Sequence, residues 1–372
     1  MVGQLYKDGD VRRDAGFSLF YAGINLGALL GGYVCIAVAN GNLWTSFVPQ
    51  GLRWNYAFGF AAIVMMISLI TFTQTQKSMG KIGLSPLLKL ENSKRKIYEV
   101  VTYIGSLALI PVIILMVANT VYTDYFMMII GPASILYLAY EMRTFSAAVN
   151  KKLVAALVFM IFSIFFWAFY EQSGGSLSLF AANNLQNKLL GMEVDPNGVN
   201  NSSGALFVII FAALLGVLWI WLAKRKIEPN TVVKFGLGFL LLGLGFWVFY
   251  YTKFFAAPDG KTSLNLFTFG WFVITFGELC LSPIGMSVMT KLSPQKLQAV
   301  VMGMWFLASA YGQYFAGLLG ANIAEASENS SNLEKLNVYA DGYQQLGIYA
   351  LIAGVILILI SPLIKKLMQE VK

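Results

Sequence analysis

Long apolar runs separated by short polar stretches dominate the pattern of hydrophobic and polar positions along the chain. A helix needs about 20 mostly apolar residues to cross a membrane, and ten segments approach or exceed that length. They cover residues 15–40, 54–73, 97–117, 122–141, 151–182, 204–223, 232–252, 263–290, 297–323 and 342–364. The sequence therefore predicts an all-α polytopic membrane protein with about ten transmembrane helices.

The composition supports a membrane protein rather than a soluble one. Of the 372 residues, 58% are hydrophobic and 12% are charged, and the mean hydropathy is +0.67. Soluble globular proteins carry about 25% charged residues. A chain of this length has no core large enough to enclose all of its apolar segments, so the lipid bilayer is expected to cover part of them.

The net charge of +8 follows the predicted topology. With the amino terminus inside and alternate crossings, the cations on the outer side are Arg53, Lys188, Lys253, Lys261 and Lys335. The remaining Lys and Arg residues of the total of 26 fall on the inner side. Because an excess of Lys and Arg marks cytoplasmic loops, the pattern predicts that both termini are cytoplasmic. It also argues against a nucleic-acid partner.

Cysteine and histidine usage narrows the possible chemistry. Cys35 and Cys280 both fall within apolar segments, so a disulfide framework is not expected. The chain has no histidine, which excludes histidine-based metal sites and catalytic triads. No metal or other cofactor is predicted.

Glu171 and Glu278 lie deep within apolar segments, whereas the other acidic residues lie in loops or near segment ends. A charge at the membrane centre costs at least ~2.5–3.5 kcal/mol. A carboxyl group away from water keeps its proton at higher pH than an exposed one. The two glutamates are therefore predicted to carry protons, and the alternative is a paired Glu that fixes helix register. The Gly174-Gly175 pair predicts a loosened helix just beyond Glu171.

The neighbours of these carboxylates indicate a cavity. Trp167 precedes the first carboxylate by about one helical turn and shares its face. Pro283 and Gly285 follow the second carboxylate and are predicted to interrupt that helix and to form a hinge, since broken helices are typical of transporter sites. Asn25 is a polar amide at membrane depth, and an interhelical hydrogen bond and a ligand contact explain it equally well.

Three stretches resemble the proton-dependent oligopeptide transporter family of the major facilitator superfamily. "DVRRDAGFSLFYAGINLGALLGG" is similar to the family's signature around its fifth span, and "FFWAFYEQSGGSLSLFA" is similar to its seventh-span motif. "GELCLSPIGMSVMTKLSPQKLQAVVMGMWFLASAYGQYFAG" resembles spans ten and eleven. The similarity runs through essentially the whole chain. Residues 97–141 resemble the two helices that bacterial members insert between their halves.

The resemblance implies a major facilitator fold, in which two helical bundles rock about a central site. Residues 1–76 would be an incomplete amino-terminal bundle, with two spans that resemble the family's spans five and six. Residues 77–150 would form a cytoplasmic linker and the inserted helix pair. Residues 151–372 would form a complete carboxy-terminal bundle of six helices.

The resemblance also implies proton-coupled symport of di- and tripeptides across a bacterial inner membrane. Glu278 would pair with the amino terminus of the peptide, and Glu171 would be the proton-linked carboxylate. The residues implied to contact the substrate or line its pocket are Asn25, Trp167, Glu278, Trp305 and Ser309.

Two features depart from the family pattern. The family's first four spans, with a Glu-x-x-Glu-Arg motif, have no counterpart in the chain, so a fragment is expected, either completed by spans on another chain or inactive. Gly204-Ala205 stands where family members often have Asn-Pro, so one contact to the peptide's amino terminus is expected to be missing. A transporter of a different peptide-like or anionic solute also fits the sequence, and an intramembrane enzyme is the least favoured hypothesis.

Overall fold

The computed structural model describes residues 2–7, 10, 12–39, 41, 43–44, 46–323, 330–369 and 371. Within these residues the chain is almost entirely helical. The helices are α1 (Arg13–Ala39), α2 (Arg53–Thr75), α3 (Asn92–Ala118), α4 (Thr120–Met142), α5 (Ala147–Tyr170), α6 (Ser176–Asn184), α7 (Pro196–Lys224), α8 (Thr231–Tyr251), α9 (Leu264–Leu292), α10 (Gln298–Ile323) and α11 (Asn332–Met368). Strands β1 (Lys188–Leu189) and β2 (Met192–Glu193) pair as a short antiparallel hairpin.

In the residues that the structure describes, each predicted apolar segment corresponds to helix, apart from a break within 151–182. Among the described residues, nine helices are long and apolar enough to cross a membrane. Helix α10 fills the predicted segment 297–323 but falls outside this set, because Gly, Ser, Tyr and Gln residues dilute its apolar side chains. The all-α, multi-pass architecture is therefore confirmed.

Polar caps set where several helices begin. The side chains of Ser146, Asn230 and Ser263 each accept a hydrogen bond from a backbone N–H in the first turn of α5, α8 and α9. Helix α11 starts well before the predicted residue 342, because Ser331 and Glu334 form a reciprocal capping box. Capping chemistry thus extends α11 beyond its apolar part.

The predicted segment 151–182 is divided into α5 and α6 by turns at residues 171–175. The buried side chain of Gln172 holds this break, since its Nε2 donates to the carbonyl oxygens of Ala168 and Ala316, both at 3.2 Å. Ser176 donates to Oε1 of the same side chain at 2.9 Å. The prediction of a loosened helix beyond Glu171 is confirmed.

The predicted interruption at Pro283 and Gly285 is wrong, because α9 runs without a break from Leu264 to Leu292. Proline removes a backbone N–H donor, and membrane helices tolerate this loss where neighbouring helices surround them. Gly285 serves close packing, since a Cβ atom there would lie 2.3 Å from the ring of Trp305. A hinge role for these two residues stays a prediction.

Glycines bring α8 within backbone contact of its neighbours. A Cβ at Gly243 would lie 2.8 Å from the carbonyl oxygen of Gly347 on α11. On α9, a Cβ at Gly277 would lie 2.5 Å from the carbonyl oxygen of Gly238. Small residues permit such close approach in membrane helices, so these positions pack α8 against both α9 and α11.

Packing divides the chain into two compact units. One consists mainly of Ala62–Phe145, in which α4 follows α3 directly and Thr123 donates to the carbonyl oxygen of Met116 at 2.9 Å. The other consists mainly of Tyr6–Ala61 and Ser146–Lys372, and it holds α1 together with α5–α11. The three-part division at residues 76 and 150 stays a prediction.

Candidate functional site

A cavity of about 220 Å³ lies within the second unit, between α1, α5, α7 and α9. Four residues predicted from the sequence line it, and they are Asn25, Trp167, Glu171 and Glu278. The structure therefore brings both deep carboxylates, the amide and the tryptophan to one site. Other lining residues include Tyr21, Tyr170, Ser173, Asn200, Gly204 and Trp271.

Glu278 is almost fully buried, with 3% of its surface exposed. The phenol of Tyr21 donates a hydrogen bond to its Oε1, and the phenol of Tyr170 donates one to its Oε2. Among the described residues, the ion pairs do not include Glu278. Each oxygen of this carboxyl group thus accepts one hydrogen bond from a neutral donor. Its charge is not paired by these donors, so it can pair with a cationic ligand.

Glu171 lies at the carboxy-terminal end of α5, where its backbone N–H donates to the carbonyl oxygen of Trp167 at 3.0 Å. Its side chain shares a hydrogen bond with Gln313 of α10. The break after α5 turns the chain here, and Asn200 of α7 anchors that turn by donating to the carbonyl oxygen of Ser173 at 2.9 Å. Glu171 therefore lies on a non-helical segment fixed from two sides.

The tryptophans of the cavity carry unused hydrogen-bond donors. Trp167 and Trp271 both line the cavity, and the buried Nε1 of each lacks a hydrogen-bond partner among the described residues. The ring of Tyr170 packs edge-on against both, at centroid distances of 5.2 and 5.8 Å. Both Nε1 atoms are buried, so the rings rather than the indole N–H groups form the wall of the cavity.

Asn25 donates from Nδ2 to the carbonyl oxygen of Tyr21 at 3.1 Å, one turn earlier in α1. This bond is within one helix, so it is not the interhelical bond considered from the sequence. The amide nevertheless lies on the cavity wall. Its position agrees with a ligand contact.

Trp305 and Ser309 are not among the lining residues in the part of the chain that the structure describes. Trp305 is buried beside Gly285, and its ring lies 6.2 Å from that of Phe235. The hydroxyl of Ser309 donates to the carbonyl oxygen of Trp305 at 3.5 Å. A substrate contact for either residue stays a prediction.

Sequence reasoning missed the two tyrosines that hold Glu278. Both lie in apolar runs in which aromatic residues are common, so composition does not mark them. Tyr21 precedes Asn25 by one helical turn and therefore shares its face. That spacing is a usable signal, whereas the contact of Tyr170 with Glu278 joins α5 to α9 and depends on the tertiary fold.

A second polar cluster joins the amino-terminal end of α1 to α8 and α9. Asp14 accepts hydrogen bonds from Lys291 at 2.7 Å and from Ser287 at 2.5 Å. Lys234 lies 3.9 Å from Asp14 and also pairs with Glu228. In the sequence these charges indicate only the topology, but the structure shows that they connect three helices.

Apolar spanning helices around a cavity with two carboxylates define a multi-pass membrane protein with a polar site among its helices. A soluble enzyme would not leave so much apolar helix surface exposed. Residues 1–338 match the POT family. The chain belongs to this family of transporters.

Several of the matched relatives are named as peptide transporters or permeases. The chain is 30% identical to the peptide transporter YePEPT of Yersinia enterocolitica, and it is 28% identical to dipeptide and tripeptide permease A of Erwinia pyrifoliae. Both matches cover 100% of the chain and 72% of the relative. A crystal structure of a peptide transporter POT in complex with sulfate matches with a TM-score of 0.66 and 29% identity, covering 99% of the chain and 71% of that protein.

These similarities confirm the family inferred from the motifs and the major facilitator type of fold. They also confirm that the chain belongs with transporters rather than with enzymes.

Proposed function

We propose that the chain takes part in proton-coupled symport of di- and tripeptides across a bacterial inner membrane, by alternating access. Its relatives are named as peptide transporters and as a dipeptide and tripeptide permease. The cytoplasmic termini are proposed from the distribution of Lys and Arg along the sequence, and the inner-membrane location is proposed from the bacterial relatives.

One observation carries the proposal. Glu278 is a buried carboxyl group in a cavity, its oxygens accept from Tyr21 and Tyr170, and no ion pair of the described residues includes it. The ammonium group of a peptide supplies the missing positive charge. When no peptide is bound, a proton on the carboxyl group removes the cost of a buried negative charge. Peptide and proton therefore exclude each other at Glu278, and the proton that travels with the peptide is assigned to Glu171, the second carboxyl group of the cavity.

Uptake of dialanine into proteoliposomes with an alkaline interior tests this proposal. One pH unit corresponds to about 1.4 kcal/mol per proton, which supports up to about tenfold accumulation when one proton accompanies each peptide. We expect accumulation to require the gradient and to collapse when an ionophore removes it. Glu278→Gln should reduce accumulation to the level of protein-free liposomes.

The assay is run on the 372-residue chain alone and on the chain co-expressed with the part of the Yersinia relative that lies outside the matched region. Glu370→Gln, a carboxyl substitution far along the sequence from the cavity residues, is the matched control. Accumulation that is independent of the gradient, or unchanged in Glu278→Gln, would contradict the proposal. Uptake of a free amino acid or of an anion in preference to dialanine would indicate that the chain transports a different class of solute.

A further inference from the structure

Tyr170 and Gly204 pack closely against each other beside the buried carboxylate of Glu278. The hydroxyl of Tyr170 donates to Oε2 of Glu278. A Cβ atom at Gly204 would lie 3.0 Å from that same hydroxyl oxygen. The absence of a side chain at residue 204 therefore leaves the room in which the hydroxyl sits.

The surroundings hold the hydroxyl of Tyr170 in one place. Tyr170 is 9% exposed, and its ring makes edge-on contacts with those of Trp167 and Trp271. The ring of Trp271 also borders Gly204, with its nearest atom 3.6 Å from the position of a Cβ there. The ring alone would pack equally well as phenylalanine, so packing does not explain the hydroxyl.

The hydrogen-bonding capacity of the site matches a primary ammonium group. A carboxylate has about four acceptor positions, and the phenols of Tyr21 and Tyr170 occupy one on each oxygen of Glu278. The remaining positions, together with the phenol oxygens, can accept the three N–H donors of a primary ammonium. An N-methyl group removes one of these donors and adds volume next to the carboxylate, to which the Tyr170 hydroxyl is also bonded.

We propose that Tyr170, seated by Gly204, is a positioning residue that fixes the Glu278 carboxylate and selects a primary amine over an N-methylated one. This inference rests on the proposed function and adds the residues that decide which amine is accepted. Gly204 acts by leaving space, and Tyr170 acts through its hydroxyl group.

The test compares uptake of dialanine with uptake of its N-methylated form. Tyr170→Phe should raise the half-saturating concentration of dialanine about tenfold, the change expected when a hydrogen bond to a charged group is lost. The N-methylated peptide should be unaffected or improved, because its methyl group fills the vacated space. The ratio of the half-saturating concentration of the N-methylated peptide to that of dialanine should therefore fall about tenfold. This ratio does not depend on how much of the protein is folded.

A double-mutant cycle tests the pairing. Gly204→Ala should also lower the ratio, because the added Cβ displaces the hydroxyl. Gly204→Ala combined with Tyr170→Phe should be no worse than either change alone, since the hydroxyl is already absent. Tyr349→Phe, at a half-exposed site, and Gly303→Ala, which has open space within 4 Å, are the matched controls and should leave the ratio unchanged.

The outcomes separate this inference from the proposed function. A wild-type ratio retained in Tyr170→Phe, or additive effects in the double variant, would overturn the assignment while peptide uptake by the wild type still stands. Failure of the wild type to take up either peptide would overturn the proposed function and this assignment with it.

Discussion

Glu171 and Glu278 line one cavity but are held differently. Glu278 lies inside the continuous helix α9 and accepts from two phenols. Glu171 lies at the end of α5 and shares a hydrogen bond with the amide of Gln313 on α10. This difference suggests that Glu278 meets the ligand directly, whereas Glu171 responds to movement between α5 and α10.

Glu171→Gln should therefore separate proton coupling from peptide binding. Glutamine keeps the size of the side chain and its ability to bond Gln313, but it cannot release a proton. We expect exchange of peptide across the membrane to continue without a gradient, while gradient-driven accumulation is lost and the inside and outside concentrations of peptide become equal. Counterflow and accumulation are measured on the same proteoliposomes, with Glu193→Gln in the exposed hairpin as the control. Equal loss of both activities would contradict the separation.

At the scale of single residues, the sequence identifies a site residue where burying its side chain costs free energy. Glu171 and Glu278 stand out because an ionisable group in an apolar run needs a reason. Tyr21 and Tyr170 do not stand out, because tyrosine is acceptable in such a run. Their role depends on contacts with Glu278 that only the tertiary fold creates.

At the scale of the helices, glycine contacts set how closely α8 and α9 approach. Gly277→Ala places a Cβ 2.5 Å from the carbonyl oxygen of Gly238, and a backbone atom cannot move aside cheaply. We expect a loss of stability of about 1–3 kcal/mol, as for other overpacked sites. Gly303→Ala is the matched control, because nothing lies within 4 Å of its Cβ position.

Thermal unfolding in detergent measures both alanine variants. A lower midpoint for Gly277→Ala with an equal or higher midpoint for Gly303→Ala is expected, since alanine otherwise favours a helix by about 0.5–1 kcal/mol over glycine. Two equal midpoints would show that α8 and α9 can move apart without a loss of stability, and they would contradict the close-packing argument.

Helix positions follow from hydropathy, but of the two interruptions predicted from Gly and Pro residues only the one beyond Glu171 is present. The apolar runs predict where the helices lie, because a segment that is buried in lipid or protein must be apolar and must satisfy its backbone hydrogen bonds within a helix. The effect of a helix-breaking residue depends on its neighbours. Pro283 lies inside an intact α9, whereas the chain breaks at residues 171–175, where Gln172 bonds the carbonyl oxygens of Ala168 and Ala316.

At the scale of the whole molecule, the number of crossings between two loops fixes whether they share a side of the membrane. Ser78 lies in the exposed stretch after α2, and Glu193 lies in the exposed hairpin before α7. Between them the chain passes through α3, α4 and the α5–α6 pair. If the break at 171–175 divides one crossing rather than reversing the chain, these two residues lie on opposite sides.

Cysteine labelling of intact cells tests whether Ser78 and Glu193 lie on opposite sides of the membrane. Cys35 and Cys280 are first replaced by serine, and Ser78→Cys and Glu193→Cys are then introduced separately. Because Lys and Arg are concentrated in the loops on the side of Ser78, a membrane-impermeant maleimide should label Glu193→Cys from outside and Ser78→Cys only after the cells are opened. The reverse pattern would overturn the orientation. Labelling of both from outside would mean that the α5–α6 pair re-enters the membrane, which would place Glu171 at the tip of a re-entrant loop instead of within a crossing.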